Sequence, residues 1–208
     1  MEVEFFHDTI CSFCFPMSYR MREIAREMPG LEVVHRSFSL AWGKEDLARM
    51  WGSPEKAKTE ILKHWERANE TDPLRRFNVE GMRAAAFDFP SSGNPLLAAK
   101  AAGILWGGQR YWDLFDAMQK AMFTESRDIS DLGVIGDLVR ACRMDFSAWQ
   151  KQFEDLATRE SVRDDIALAA QYGITEVPTL VVAKSRKIPG SVPTEKLREL
   201  LAGFFGGG

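Results

Sequence analysis

The chain has 208 residues with a formal net charge of −3, and 45% of the residues are hydrophobic and 27% charged. The composition is that of an ordinary soluble protein, and the length suits one large domain or a core with an insertion. The acidic balance argues against general nucleic-acid binding, which needs a basic surface, and no apolar stretch approaches membrane-spanning length. We therefore expect neither nucleic acid nor membrane as a partner.

The N-terminus and the cysteine count indicate where the protein works. The opening Met1-Glu2-Val3-Glu4 shows no basic segment followed by an apolar one, so no signal peptide is visible. We expect a cytoplasmic protein, unless a signal was removed. Three cysteines are too few for a disulfide scaffold, and in a reducing compartment a close pair indicates catalysis or metal binding.

The first forty residues predict a strand–helix–strand unit. Apolar residues alternate along Glu2–His7, residues 16–28 show helical spacing that stops at Pro29-Gly30, and residues 31–38 form a second strand. A helix that connects two neighbouring strands predicts that those strands run parallel.

A long stretch without strand signals follows and predicts a helical subdomain over residues 42–158. Ser53-Pro54 is a typical N-cap followed by proline, and Asn94-Pro95 repeats this pattern. Ser130-Asp131 is expected to open a further helix, and either Asp145 or Ser147 is expected to cap the next one. Helical spacing of apolar residues is found around residues 61–65, 96–106, 111–123, 132–142 and 160–172.

Strand character returns near the C-terminus. Thr179–Val182 is short and β-branched, residues 186–188 are its expected hairpin partner, and residues 193–204 form a last helix. The glycines at 206–208 are expected to be disordered. The order βαβ, then helices, then ββα predicts an α/β protein. Its thioredoxin-like core would comprise residues 1–41 and 159–205, with residues 42–158 as a large all-helical insertion.

The segment Cys11-Ser12-Phe13-Cys14 lies where the first strand gives way to the first helix. A helix N-terminus offers unpaired N–H groups and the positive end of the helix dipole, and both favour a thiolate. Two intervening residues let the second sulfur reach the first. The pattern predicts thiol–disulfide exchange with Cys11 as nucleophile and Cys14 as resolving thiol.

A second segment, Gly173-Ile174-Thr175-Glu176-Val177-Pro178-Thr179, precedes the third strand. Together with the dithiol motif it resembles the DsbA family of thioredoxin-fold oxidoreductases, and the inserted helices extend the resemblance over nearly the whole chain. The sequence Phe89-Pro90-Ser91-Ser92, followed by Asn94, Ala98 and Tyr111-Trp112, is similar to the cytosolic FrnE-like branch.

The resemblance implies that the Val177–Pro178 bond is cis and faces the dithiol, and that the backbone of this loop pairs with an extended substrate. The implied substrates are proteins or small molecules that carry a thiol or a disulfide. DsbA enzymes often have proline and histidine between the cysteines, whereas this chain has Ser12-Phe13. Because the histidine that stabilises a thiolate in those enzymes is absent, we expect this protein to be a weaker oxidant than its periplasmic relatives.

Several neighbours of the motif are candidates for supporting roles. His7, Asp8 and Glu176 are possible proton relays, although a packed histidine and two solvated loop acids are the simpler and favoured interpretations. Phe13 should be exposed and form part of an apolar contact surface for substrate. Four tryptophans and the third cysteine are expected to pack in helical cores: Trp42, Trp51, Trp65, Trp106 and Cys142.

Two other functions remain open. Relatives of the 2-hydroxychromene-2-carboxylate isomerase and kappa-class glutathione transferase type share this architecture and use glutathione, but they usually carry serine where Cys11 stands. A zinc-holding or other binding protein is a third possibility, yet no second ligand pair accompanies the cysteines. We expect no metal and no cofactor beyond the dithiol, with glutathione as a possible co-substrate. The sequence does not determine the oligomeric state.

Overall fold

Four strands form one mixed sheet in the computed structural model, which describes residues 1–205. The strands are β1 Glu2–His7, β2 Glu32–Ser37, β3 Thr179–Val182 and β4 Arg186–Pro189, in the order β2-β1-β3-β4. The β1–β2 pair is parallel, as predicted, and the other two pairs are antiparallel. The expectation for residues 206–208 lies outside the described part of the chain.

The helices predicted from the sequence are present in the expected order, together with two short helices that the sequence did not predict. They are α1 Cys14–Glu27, α2 Lys44–Trp51, α3 Pro54–Thr71, α4 Val79–Ala84, α5 Gly93–Trp106, α6 Gly108–Phe123, α7 Leu132–Ala141, α8 Phe146–Glu154, α9 Leu156–Gln171 and α10 Thr194–Phe205. The fold is thus a thioredoxin-like core with a helical insertion between β2 and β3, which confirms the predicted fold class. No helix within residues 1–205 combines the length and apolar character needed to cross a bilayer.

The first helix begins earlier than predicted. Phe13 is its N-cap residue and Cys14 its first helical residue. Pro16 therefore lies within the first turn, where a backbone N–H would have no partner inside the helix. The proline is tolerated there, and the helix brings Cys14 to its N-terminus.

Three predicted N-caps are present, with Asp145 and not Ser147 capping α8, and one is absent. The side chains of Ser53, Asp131 and Asp145 each accept a hydrogen bond from a backbone N–H three residues later. Asn94 does not cap α5, which begins one residue earlier at Gly93. Its amide instead donates to the Ser130 carbonyl oxygen at 2.9 Å and ties α5 to the segment before α7.

The division between core and insertion stays a prediction. Helix α9 begins at Leu156, where the Asp155 side chain accepts a hydrogen bond from the Ala157 N–H at 2.8 Å. It therefore runs through the expected boundary between residues 158 and 159. The reason is the cap at Asp155, which starts the helix earlier than its apolar spacing indicates.

Alternate side chains of β1 serve two separate cores. Val3 and Phe5 pack in the large core that includes residues of α1, whereas Phe6 packs with Val181 and the α9 residue Ala169. This separation follows from the two-residue period of a strand. Both faces of the central strand are buried, so its end is held firmly where the dithiol follows.

Only one of the four tryptophans expected in a core is fully buried. Trp65 packs against Phe77, Phe89 and Phe123 in the centre of the insertion. The expectation is wrong for Trp42 and Trp106, which are both 37% exposed, and Trp51 is half-buried on the wall of a surface pocket. Helical spacing identified the helices but not which side of each was covered.

Candidate redox site

The dithiol occupies a tight turn between β1 and α1. The Cys11 N–H donates to the Asp8 carbonyl oxygen at 3.2 Å, and the Cys14 N–H donates to the Cys11 carbonyl oxygen at 3.1 Å. Both cysteines are free thiols. Cys11 keeps 5% of its surface exposed, while Cys14 is completely buried. Only Cys11 is therefore in a position to meet a substrate first.

The fold brings the predicted second segment to the first cysteine. The Cys11 thiol donates a hydrogen bond to the Val177 carbonyl oxygen, with 3.4 Å between sulfur and oxygen. The Val177–Pro178 peptide bond is cis. Strand pairing explains why the dithiol turn and the Val177 loop are in contact, because antiparallel β1 and β3 place Phe6 opposite Thr179 at the same end of the sheet.

Burial controls the ionisation of the second thiol. It raises the pKa of Cys14 well above its ordinary value, and the hydrogen bond and charge of Cys11 raise it further. The negative charge of Asp8 acts in the same direction. Cys14 is therefore a protonated thiol at rest, and it must lose a proton before it can act as a nucleophile.

Asp8 is a buried carboxyl group beside the dithiol. It accepts hydrogen bonds from the Ile10 N–H at 3.1 Å, the Leu40 N–H at 2.6 Å and the Ser92 hydroxyl at 2.6 Å. Burial outweighs these bonds and raises the pKa of Asp8 from 3.8 to about 6. The side chain thus joins the dithiol turn to two distant loops and titrates close to neutral pH.

The raised pKa of Asp8 predicts a pH-dependent stability. The folded state holds the Asp8 proton more tightly than the unfolded chain, so this stabilisation is complete below pH 3.8 and is lost as pH rises through about 6. Relative to an Asp8→Asn variant, the wild-type free energy of unfolding should fall by about 3 kcal/mol between pH 3 and pH 7, at 1.36 kcal/mol per pKa unit. Urea unfolding of both proteins at several pH values measures this difference. If the difference in unfolding free energy between the two proteins stays constant with pH, the raised pKa of Asp8 is contradicted.

His7 is not brought to the dithiol. Its Nε2 shares a hydrogen bond of 3.0 Å with Nδ1 of His35, and its ring packs on Phe115 with the ring centroids 4.1 Å apart. Burial lowers the pKa of His7 well below its ordinary value, and His35 and Lys100 lower it further. Burial therefore disfavours a charged His7 that would support a Cys11 thiolate, and among the described residues no hydrogen bond links His7 to either cysteine.

Among the described residues, no hydrogen bond links the side chain of Glu176 to either cysteine. Its side chain is exposed and borders a shallow depression with Lys187, and its backbone carbonyl oxygen accepts a hydrogen bond from the Thr179 hydroxyl at 2.8 Å. No contact between Glu176 and the cysteines therefore supports its expected role as a proton relay. Within residues 1–205, no cluster of three or more histidine, cysteine or acidic side chains has the arrangement of a metal site.

A pocket of about 280 Å³ opens beside Cys11. Its walls come from the dithiol turn, from Val177, and from α2 and α3 of the insertion. Phe13 is half-buried rather than exposed, yet it lines this pocket as the prediction of an apolar contact surface requires. The apolar walls are completed by Leu47, Met50, Trp51, Ile61 and Phe89.

Sequence reasoning missed three residues of the site. Leu40 and Ser92 bond to Asp8 through a backbone N–H and a hydroxyl, and His64 lines the pocket. His64 follows Ile61 by three residues, a spacing that places both on one side of α3. That spacing was the available signal for His64, whereas nothing near Leu40 or Ser92 in the chain indicates a link to the dithiol.

Comparison with solved structures finds the same architecture in disulfide-exchange proteins. A candidate protein disulfide isomerase from Nitrosomonas europaea has a TM-score of 0.79 and 20% identity, over 98% of this chain and 97% of that one. The cytosolic disulfide reductase DsbM from Pseudomonas aeruginosa has a TM-score of 0.75 and 19% identity, over 99% and 98%. A candidate DsbA oxidoreductase from Streptomyces coelicolor has a TM-score of 0.77 and 25% identity, over 100% and 91%.

A search of curated proteins finds no significant match to the sequence. The family model of the DSBA-like thioredoxin domain, in contrast, matches residues 2–202. That range includes both cysteines, the Val177–Pro178 loop and the whole helical insertion. Because this model covers nearly the whole chain, the chain belongs to the DSBA-like thioredoxin domain family.

Proposed function

We propose that the protein is a thiol–disulfide oxidoreductase in which Cys11 attacks the substrate and Cys14 resolves the mixed disulfide. The observation that carries this proposal is the position of the Cys11 sulfur, which is 3.4 Å from the Val177 carbonyl oxygen and on the wall of a pocket. Cys14 lies one helical turn behind it and is closed to solvent. Such an arrangement exposes one sulfur to substrate and protects the other for the second step.

In the reducing direction, the Cys11 thiolate attacks one sulfur of a substrate disulfide, and the other sulfur leaves as a thiolate. The Cys14 thiolate then attacks the Cys11 sulfur, which forms the Cys11–Cys14 disulfide and releases the second substrate thiolate. The substrate gains two electrons from the dithiol, and the two thiol protons pass to the products or to water. The oxidising direction reverses these steps, and the substrate thiols are then the electron donors.

Asp8 is the residue best placed to accept the Cys14 proton. Its carboxylate charge acts directly on the Cys14 thiol, and its pKa of about 6 leaves it mostly ionised at neutral pH. The bonds from Leu40 and Ser92 hold it in place. We therefore keep Asp8 as the relay and do not assign this role to His7 or Glu176.

Phe13, Val177 and Pro178 are the proposed substrate-contacting residues. Phe13 and Val177 both line the pocket beside Cys11, and Pro178 fixes the loop that carries the Val177 carbonyl group. The proposed substrates are proteins or small molecules with a disulfide or thiol, and glutathione is the proposed co-substrate that returns electrons. The expected cytoplasmic location agrees with the name of the similar protein DsbM, a cytosolic disulfide reductase.

The assignment to the FrnE-like branch is also a proposal. The residues that suggest it surround the site, because Phe89 lines the pocket and the Ser92 hydroxyl bonds to Asp8. The segment is held against the loop after β2 by a hydrogen bond of 2.7 Å from the Ser92 N–H to the Ala41 carbonyl oxygen. The segment that resembles the FrnE-like branch therefore helps to hold the dithiol turn in place, through the hydrogen bond from Ser92 to Asp8.

A redox equilibrium tests the proposed function. The protein is incubated across ratios of reduced to oxidised glutathione, free thiols are alkylated, and the modified residues are mapped by mass spectrometry. We expect Cys11 and Cys14 to form a reversible disulfide, whose midpoint tells whether the protein reduces or oxidises its partners. If Cys11 only takes up glutathione and never pairs with Cys14, the dithiol function fails and a glutathione-dependent isomerase or transferase becomes the better assignment.

A further inference from the structure

His64 stands out on the wall of the pocket beside Cys11. Apart from the Cys11 thiol, the Ser12 hydroxyl and the Trp51 indole N–H, it carries the only polar side chain among the lining residues, and it is the only basic one. It projects from the exposed side of α3, and its ring meets that of Trp51 edge to face with centroids 6.3 Å apart. A reactive sulfur and an imidazole thus share one otherwise apolar pocket.

The side chains that line the pocket indicate which class of ligand it can bind. Apolar walls favour an aromatic or branched aliphatic group next to the substrate sulfur, because burial of apolar surface is the main favourable term. An imidazole donates a hydrogen bond in either protonation state and adds a positive charge when doubly protonated. A carboxylate attached to the apolar group would therefore meet His64, whereas no lysine or arginine of the lining is available for it.

We propose that the pocket binds an apolar thiol or disulfide that carries a carboxylate, and that His64 is the specificity-determining residue for the carboxylate. The inference rests on the proposed thiol–disulfide exchange and names the substrate class of the same site. The ligand's sulfur reacts at Cys11, its apolar part lies against Trp51 and Phe13, and its carboxylate accepts a hydrogen bond from His64.

The test uses two aryl disulfides that differ only in the carboxylate, namely dithionitrobenzoate and the otherwise identical nitrophenyl disulfide. Each is mixed with the fully reduced protein in a single turnover, so no external reductant is needed. Cys11 displaces one coloured nitrothiophenolate, Cys14 displaces the second, and the dithiol becomes the Cys11–Cys14 disulfide. The measured quantity is the ratio of the two second-order rate constants.

His64→Leu removes the donor and should lower the preference for the carboxylated disulfide about fivefold, as expected for the loss of a partly exposed hydrogen bond to a charged group. Arg67→Gln is the matched control, because Arg67 is exposed one turn further along α3 and does not line the pocket. It removes a positive charge from the same helix and should leave the ratio unchanged.

The outcomes separate the two proposals. If the wild-type protein releases both nitrothiophenolates from each disulfide but His64→Leu does not change the ratio, the specificity of His64 is overturned and the exchange function stands. The same conclusion follows if Arg67→Gln lowers the ratio as much as His64→Leu, since long-range charge would then explain the preference. If the reduced wild-type protein releases neither thiolate, the proposed function itself fails.

Discussion

Replacement of Cys11 by serine is expected to lower the rate of disulfide reduction at least about a thousandfold, as is typical when the nucleophile of a catalytic unit is removed. A serine hydroxyl keeps the shape of the turn and can still donate to the Val177 carbonyl oxygen, so folding should be preserved. It does not form a nucleophilic anion at neutral pH, which the exchange reaction requires. The measurement is turnover of a coloured disulfide with a dithiol as electron donor.

The control for this variant is Cys142→Ser. Cys142 is half-buried at the C-terminal end of α7, and its sulfur contacts the Asp113 carbonyl oxygen at 3.9 Å, away from the dithiol turn. Its replacement should leave turnover near the wild-type value. Activity retained by Cys11→Ser, or lost equally in both variants, would refute the assignment of Cys11 as nucleophile.

Replacement of Cys14 separates the two steps of the reaction. The buried sulfur is needed only after substrate is attached, so Cys14→Ser should accumulate a mixed disulfide on Cys11. Non-reducing mass spectrometry after exposure to a disulfide substrate would detect the adduct. Rapid release of both substrate thiols by this variant would show that Cys14 does not resolve the intermediate.

The chemistry of the site could be predicted where it depends on short patterns in the chain. The dithiol turn, the following helix and the strand after Pro178 each have local signals, and the strand order joins them at one end of the sheet. Resemblance to the family added the relation between Val177 and Cys11. Composition and helical spacing alone would have placed these elements without saying that they meet.

The surroundings of His7 and Asp8 show what the sequence does not reveal about two adjacent residues. His7 is on the same side of β1 as Val3 and Phe5, and the two-residue period could have predicted that it packs in the core rather than beside the cysteines. Asp8 follows the strand and turns toward Leu40 and Ser92 instead. Those partners lie 32 and 84 residues away in the chain, a distance at which no sequence period gives information.

The pocket was missed for a related reason. Its far wall consists of α2 and α3, whose spacing predicted helices but not which of their faces covers the dithiol. Trp51 was assigned to a core because aromatic residues at helical spacing are usually buried. Its actual position beside His64 depends on how the insertion packs against the turn, which is a long-range property of the fold.

A large loss of folding stability is expected when Asp165 is replaced. This residue is buried in α9 against the sheet. It accepts hydrogen bonds from the Ser37 N–H at 2.8 Å and from Arg36 at 3.3 Å, and it forms an ion pair with Lys100. Lys100 is itself only 8% exposed. Asp165→Ala should lower the free energy of unfolding by about 3–5 kcal/mol, because it leaves the lysine charge buried without its counter-charge. Urea unfolding at neutral pH measures the loss.

Two further variants distinguish the buried ion pair from a general effect of changing α9. Asp164→Ala removes an exposed carboxylate from the adjacent position and should change the free energy of unfolding by less than about 0.5 kcal/mol. The double variant Asp165→Leu with Lys100→Met removes both charges and should recover much of the loss, because an apolar pair needs no desolvation of charge. A loss below about 1 kcal/mol in Asp165→Ala, or a double variant as unstable as the single one, would show that the pair does not govern the stability of this face. With that network intact, α9 holds β2 and its partner β1 in place, and the end of β1 carries the dithiol.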